Sequence, residues 1–280
     1  LMVMTLMKPI KKPEYFRTLT IAGSDNSGGA GIQADLKTFS ALGCYGMSVI
    51  TALTAQNTQG VRGIQEISPE FVVQQIQTVM EDVGVDAVKI GMLFNSPIIR
   101  KVAEFLRKNP VPFLVVDPVM FAKSGDRLLQ QDAIELFPRE LLPMATVLTP
   151  NIAEAEAILG YSVKGRKDME QAAKDLCLMG AQAVVVKGGS LLKDSSDDCL
   201  FVRGGQIHWL NQKRVQTNNV HGTGCTFSAA ITTFLARSFS IEDAILEAKK
   251  YLTGALEAGA GYKLGKGKGP VMHFYQTWNK

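Results

Sequence analysis

Thr217-Asn218-Asn219-Val220-His221-Gly222-Thr223-Gly224-Cys225-Thr226 runs from a polar loop into the apolar-periodic stretch Phe227 to Leu235. Gly222 and Gly224 flank Thr223 at the mouth of a predicted helix. Such a turn gathers backbone N–H groups where a helix leaves its first donors unpaired and its dipole is positive, so it favours an anion. A phosphate in transfer is the anion that the rest of the chain supports. Taken alone, the two glycines could merely shape a tight turn, with Thr223 or Thr226 as its cap. Cys225 would sit at the helix N-terminus, where the pKa of a thiol falls and a proton can be taken from a hydroxyl. The alternative is a small buried residue packing the helix start. His208, His221 and His273 lack metal spacing, and His221 reads as a turn residue or a hydrogen-bond partner near the anion.

A second glycine-rich turn, Gly23 to Gly31, follows the apolar run Leu19-Thr20-Ile21-Ala22. It lacks the Lys-Ser/Thr of a Walker A loop and the last glycine of the dinucleotide fingerprint. Its glycines therefore serve close backbone approach to something small. The predicted helix Ile32 to Leu42 carries Ile32, Leu36 and Phe39 on one face, with Asp35 beside them. Asp35 is either a ligand contact or an acid that complements the helix dipole. The β-rich run Tyr45 to Asn57 and its hairpin partner Gly60 to Ile67 read as a flap. Gln56, at the polar end of the first strand, is either a turn residue or an amide that pairs in two directions with the edge of a heterocycle.

From Pro69 the chain alternates helix and strand with short links, which predicts a parallel sheet with helices on both faces. Strands Ala87 to Ile90, Phe113 to Val116, Thr146 to Leu148 and Ala183 to Val186 end in Gly91-Met92, Asp117-Pro118-Val119-Met120, Thr149-Pro150-Asn151 and Lys187-Gly188-Gly189. Ligands of open α/β sheets bind beyond the carboxyl ends of the strands, so Gly23, Met92, Asp117, Asn151 and Lys187 are predicted to converge. Singly, Asp117 could cap the turn before Pro118, and Glu154 could be an exposed helix acid. A helix is predicted over Leu129 to Leu136, and a hairpin over Asp198 to Leu210. Gly261 to Gly269, with Lys263, Lys266 and Lys268, could wrap phosphates but reads rather as a solvated flexible turn.

At 280 residues, 46% apolar and 20% charged, the chain can bury a large core. With no linker-like tract it reads as one α/β domain over residues 16–280, preceded by a loose tail over 1–15. A net charge of +4, with basic and acidic residues interspersed, does not make a nucleic-acid surface. The apolar opening Leu1 to Met7 is too short to span a membrane. Cys44, Cys177, Cys199 and Cys225 show no C-x-x-C spacing, which argues against disulfides and zinc and for a reducing, cytoplasmic setting.

Taken in order, these motifs resemble the hydroxymethylpyrimidine and phosphomethylpyrimidine kinases of thiamine synthesis, members of the ribokinase-like superfamily. The resemblance rests on Ile21 to Asp25, Ser27 to Asp35, Lys89 to Met92, Asp117 to Met120, Ala122 to Gly125, Thr149 to Asn151 with Glu154, Lys187 to Gly189 and His221 to Cys225. It implies a three-layer α/β sandwich, mostly parallel with helices on both faces and a small β flap. It also implies ATP-dependent phosphorylation of 4-amino-5-hydroxymethyl-2-methylpyrimidine and then of its monophosphate. By the same resemblance Gln56 meets the pyrimidine, and Asp35, Gly23, Met92 and Val119 line its pocket. Asp117 and Glu154 hold Mg2+, Glu154 through water, while Asn151, Lys187 and Thr223 lie on the ATP-phosphate side. Gly222, Thr223 and Gly224 cradle the transferred phosphate, and Cys225 stands where the wider superfamily has a general-base aspartate. Related assemblies and the apolar strand Val49 to Leu53 imply a homodimer. Two rival readings are a pyridoxal kinase of the same fold, against which Cys225 speaks, and a non-catalytic small-molecule sensor, which would have no need of Asp117, Glu154 and Lys187.

Overall fold

The structure, a computed structural model, describes residues 14–121, 125, 128–189, 191 and 194–278. Ala122, Lys123 and Ser124, and nearly all of the expected tail, lie outside the described residues. Six strands run parallel: β1 (Arg17–Asp25), β2 (Tyr45–Asn57), β4 (Ala87–Ile90), β5 (Leu114–Val116), β6 (Val147–Leu148) and β7 (Ala183–Lys187). β3 (Gly60–Glu66) pairs antiparallel with β2, β8 (Asp198–Val202) with β7, and β9 (Ile207–Leu210) with β8. They form one sheet in the order β3-β2-β1-β4-β5-β6-β7-β8-β9. The strand order reverses at β1, which lies between β2 and β4, and such a switch point opens a crevice at the carboxyl ends.

Helices cover both faces, which is why β4, β5 and β6 are buried along their whole length. α2 (Pro69–Asp82), α3 (Ser96–Lys108), α4 (Gln131–Leu141), α5 (Ile152–Leu159) and α6 (Arg166–Leu178) bury their apolar faces with Leu19, Ile21, Val88, Ile90 and Val116. On the opposite face α7 (Thr223–Ala236) and α8 (Ile241–Gly259) pack on Val115, Val147, Ala183 and Val185, and α1 (Gly31–Ala41) packs on α7. Strand residues of alternating parity thus feed two cores. α7 is buried continuously from Thr226 to Ala236, as a helix that is apolar nearly all round must be.

The elements depart from the sequence expectation at several places. α7 begins at Thr223 rather than Cys225, so the thiol belongs to the first helical turn. α4 runs through Pro138 to Leu141, with Phe137, Pro138 and Leu141 all buried. The flap is no separate unit: β2 pairs with β1 up to Thr54 and with β3 from Ala52 to Asn57, so it continues the central sheet outward.

Candidate active site

Beyond the carboxyl ends of the parallel strands lies a cavity of about 500 Å³. Gly23, Gln56, Met92 and Val119 line it at the flap end, and Asp117, Asn151, Glu154 and Lys187 line its middle. Gly222, Thr223, Gly224 and Cys225 form part of the same wall. Asp35 is the exception. Expected on the substrate wall, it is instead fully buried behind it, accepting a 2.7 Å bond from Thr20 Oγ1 and a 2.5 Å bond from Lys89 Nζ. The α1 position that faces the sheet carries it inward, and Lys89 rather than Asp35 reaches the cavity.

The two glycine-rich turns are built as one piece. Gly222 is left-handed (φ 79°), and a methyl on it would collide with the carbonyl of Gly29, so only glycine allows the turns to touch. Asp25 ties them together. One of its oxygens accepts from Ser27 N (2.9 Å) and Ser27 Oγ (2.7 Å). The other accepts from Gly29 N (3.1 Å) and Ala30 N (2.9 Å) and lies 2.8 Å from His221 Nε2. Burial opposes its ionisation, but the bonds from His221 and Ser27 outweigh burial and hold the carboxyl at about 2. The N-termini of α1 and α7 therefore meet at one place, where the Gly31 backbone N–H favours the thiolate form of Cys225.

Asp117 follows β5. It accepts from Lys187 Nζ at 2.8 Å, Thr149 Oγ1 at 3.1 Å and Ser228 Oγ at 3.3 Å. Burial works against its charge, yet the ammonium groups of Lys187 and Lys89 hold its carboxyl below the usual range. Glu154 is the third residue of α5, where Asn151 Oδ1 accepts from its N–H (3.0 Å) and its Oε2 accepts from Asn151 N–H (2.7 Å). This is a capping box. It fixes a carboxylate that is 4% exposed and not the exposed helix acid of the simpler reading. Burial raises Glu154 to about 7, against the pull of Lys187 and with help from Asp117.

Lys89 and Asp35 form a second, fully enclosed pair. Burial disfavours both charges and pushes the Asp35 carboxyl up, but the carboxylate at 2.5 Å holds Lys89 above the usual lysine range. Cys225 corrects an expectation. Burial raises its thiol to about 11, and the nearby Lys89 ammonium offsets this only in part. Although the residue is half-buried and touches the cavity, desolvation outweighs the helix terminus. The resting thiol is neutral at pH 7.

Residues 25–272 match the family model described as phosphomethylpyrimidine kinase. The chain belongs to that family. A hydroxymethylpyrimidine/phosphomethylpyrimidine kinase of Salmonella typhimurium is 49% identical over 95% of this chain and 100% of its own length. The crystal structure of a phosphomethylpyrimidine kinase from Clostridium difficile 630 superposes with TM-score 0.77 at 44% identity, over 86% of this chain and 99% of that one. An ADP complex of Bacillus subtilis pyridoxal kinase superposes with TM-score 0.86 at 36% identity, over 95% of this chain and 100% of that one. The ribokinase-like fold and the phosphotransferase activity of thiamine biosynthesis are thereby those of this chain.

Within this kinase, sequence reasoning overlooked Asp25, Lys89 and the pair Asp198–Lys249, whose Nζ–Oδ2 distance is 2.6 Å at the far end of the cavity. One signal was available for Lys89. It is the lone charge in the four-residue apolar strand Ala87–Ile90, and a buried lysine requires a partner.

Proposed function

We propose that the chain transfers the γ-phosphoryl group of ATP to the hydroxymethyl oxygen of the pyrimidine, and then transfers a second one to the phosphate so formed. The observation that carries this reading is the meeting of two helix N-termini with the Lys187–Asp117 pair on the wall of the cavity that Gln56 lines from the flap. In each transfer the acceptor oxygen forms a bond to the γ-phosphorus while the bond to the bridging oxygen breaks and ADP leaves. Phosphoryl transfer needs in-line placement and charge neutralisation more than covalent help. Gln56 pairs with the pyrimidine edge, with Gly23, Met92 and Val119 shaping its site. The N–H groups of the Gly222–Gly224 turn hold the moving phosphoryl. Asn151, Lys187 and Thr223 meet the phosphates of ATP.

Asp117 and Glu154 fit Mg2+. Both offer hard oxygen donors, and burial, aided by the Asp117 charge, raises Glu154 to about 7, a cost of ionisation that a bound cation would offset. Among the described residues no three His, Cys, Asp or Glu side chains form a ligand cluster, so phosphate oxygens and water would complete the shell. When bound, Mg2+ neutralises charge on the transferring phosphate. In the first transfer the hydroxymethyl proton passes to Cys225 Sγ in the fraction of enzyme that holds a thiolate. In the second the acceptor is already ionised, and the neutral thiol does not repel it.

A homodimer, in a reducing cytoplasm that suits four free cysteines, belongs to the same reading, although within the strand Val49 to Leu53 that suggested it only Leu53 is exposed. Among the described residues no helix is long and apolar enough to cross a membrane. The experiment is to offer ATP and magnesium with hydroxymethylpyrimidine, its monophosphate or pyridoxal separately, and to weigh the products. Mono- and diphosphate from the pyrimidines are expected. Preferential phosphorylation of pyridoxal would favour the pyridoxal-kinase reading, and no product with any acceptor would favour a sensor.

A further inference from the structure

Residues 261–269 lead away from α8 as a glycine-rich segment, and eight of the nine are exposed. Their backbone is nevertheless pinned. Asn219 Nδ2 donates to the carbonyls of Gly259 and Tyr262, both at 2.7 Å, and His221 N–H donates to the carbonyl of Gly269 at 2.9 Å. Between these anchors Lys266 N–H and Gly267 N–H donate to Thr58 Oγ1 at 3.2 and 3.1 Å, and Lys268 N–H donates to the Thr58 carbonyl at 2.9 Å. A methyl on Gly267 would collide with that carbonyl. The segment is thus a strap rather than the flexible turn that its composition suggests.

Its ends identify what it joins. Thr58 is the tip of the β2–β3 flap, two residues beyond Gln56, while Asn219 and His221 lead into the anion turn. Ordering glycine costs more chain entropy than ordering any other residue. The strap gains little burial in return, since Tyr262 and Leu264 remain 57% and 54% exposed. What it does gain is a fixed span between the flap and the turn, and transfer between two bound groups is sensitive to such a span.

We infer that the 261–269 strap is a positioning element for the acceptor, with Thr58 as the peg through which it holds the flap at a set distance from the anion turn. This rests on the reading of Gln56 as the pyrimidine contact. Thr58→Val keeps the β-branched shape and the carbonyl but removes the Oγ1 acceptor. It is expected to raise KM for hydroxymethylpyrimidine about three- to tenfold, with KM for ATP within about twofold and Tm unchanged. Thr58→Ser, which retains the hydroxyl, restores the wild-type KM. Gly267→Ala, in an exposed segment, gives the same pattern with a larger shift. Gln56→Ala is measured alongside.

If Gln56→Ala raises the pyrimidine KM and Thr58→Val and Gly267→Ala do not, the strap has no positioning role and the inference is overturned. Equal rises for ATP and pyrimidine together with a fall in Tm would also overturn it, by making Thr58 structural. A rise for Thr58→Val with none for Gln56→Ala would uphold the strap and remove Gln56 from the pyrimidine site.

Discussion

Two lysine–aspartate pairs lie side by side under the cavity and differ in one respect. Lys89 and Asp35 are 2.5 Å apart with both side chains wholly enclosed. Lys187 and Asp117 are 2.8 Å apart, and the lysine keeps 17% of its side-chain surface open. A sealed pair can only be kept or broken, because neither side chain has surface open to water that could replace its partner, even though Lys89 borders the cavity. An open pair offers each charge a second partner. Desolvation makes the sealed pair a weak source of net stability yet costly to break, whereas on the function proposed above the open pair would be drawn apart by phosphates and a cation. On that proposal the same two residue types serve as scaffold in one place and as chemistry in the other.

Breaking each pair in turn should reverse the phenotype. Lys89→Met leaves Asp35 enclosed without its counter-charge and is expected to cost about 3–5 kcal/mol of unfolding free energy in urea titrations. Adding Asp35→Leu should recover most of that loss. Asp117→Asn leaves Lys187 able to reach water, so stability changes little, while kcat falls about 10²–10³-fold. A stable Lys89→Met enzyme, or an unfolded Asp117→Asn chain, would erase the distinction between the pairs.

That distinction is the part of the site that the sequence hides. Gly23, Met92, Asp117, Asn151 and Lys187 could be placed together because each lies at or just beyond the carboxyl end of a strand, and strand ends in a parallel sheet share one edge. The residues of the anion turn carry their own local pattern. Asp35 could not be placed in this way, since it lies on a helix, and one helical position decides whether a carboxylate faces ligand or sheet. The Cys225 thiol misled for a related reason. The helix terminus that lowers its pKa is visible in the chain order, but the burial that raises it comes from packing against distant segments. The strap at 261–269 was hidden by its own composition, which reads as freedom when the contacts lie at Thr58 and Asn219.

The open pair can be sharpened by titration, because Glu154 stands beside it. A carboxyl raised from 4.5 to about 7 binds its proton more tightly in the folded chain than in the unfolded one. Its stabilising contribution is therefore complete below pH 4.5 and is lost as pH rises through 7. The interval sets an upper bound of about 3 kcal/mol. Asp25 acts elsewhere: its contribution is present above pH 3.8 and is lost as pH falls towards 2. Unfolding free energies of wild type and Glu154→Gln, compared from pH 4.5 to 7.5, should differ by an amount that changes steadily across the window. A constant difference would mean that Glu154 ionises as an ordinary carboxylate in the folded chain.

The smallest effect is expected at Cys225, and it tests whether the sealed pair reaches the chemistry at all. The hydroxymethyl acceptor must lose a proton, whereas the phosphate acceptor is already ionised at neutral pH. With the thiol at about 11, the thiolate fraction at pH 7 is small and rises tenfold per pH unit, so the first transfer should quicken with pH while the second does not. Cys225→Ala should slow the first transfer by about ten- to a hundredfold at pH 7, remove its pH slope, and spare the second. Cys225→Asp should keep the first transfer and impair the second, because a fixed negative charge then stands beside an anionic acceptor. Single-turnover rates for both acceptors, taken from pH 6.5 to 9 with each variant, separate these outcomes. Should alanine slow both steps alike and aspartate spare both, the thiol only packs the helix start. The Lys89 charge beneath it would then belong to the scaffold alone.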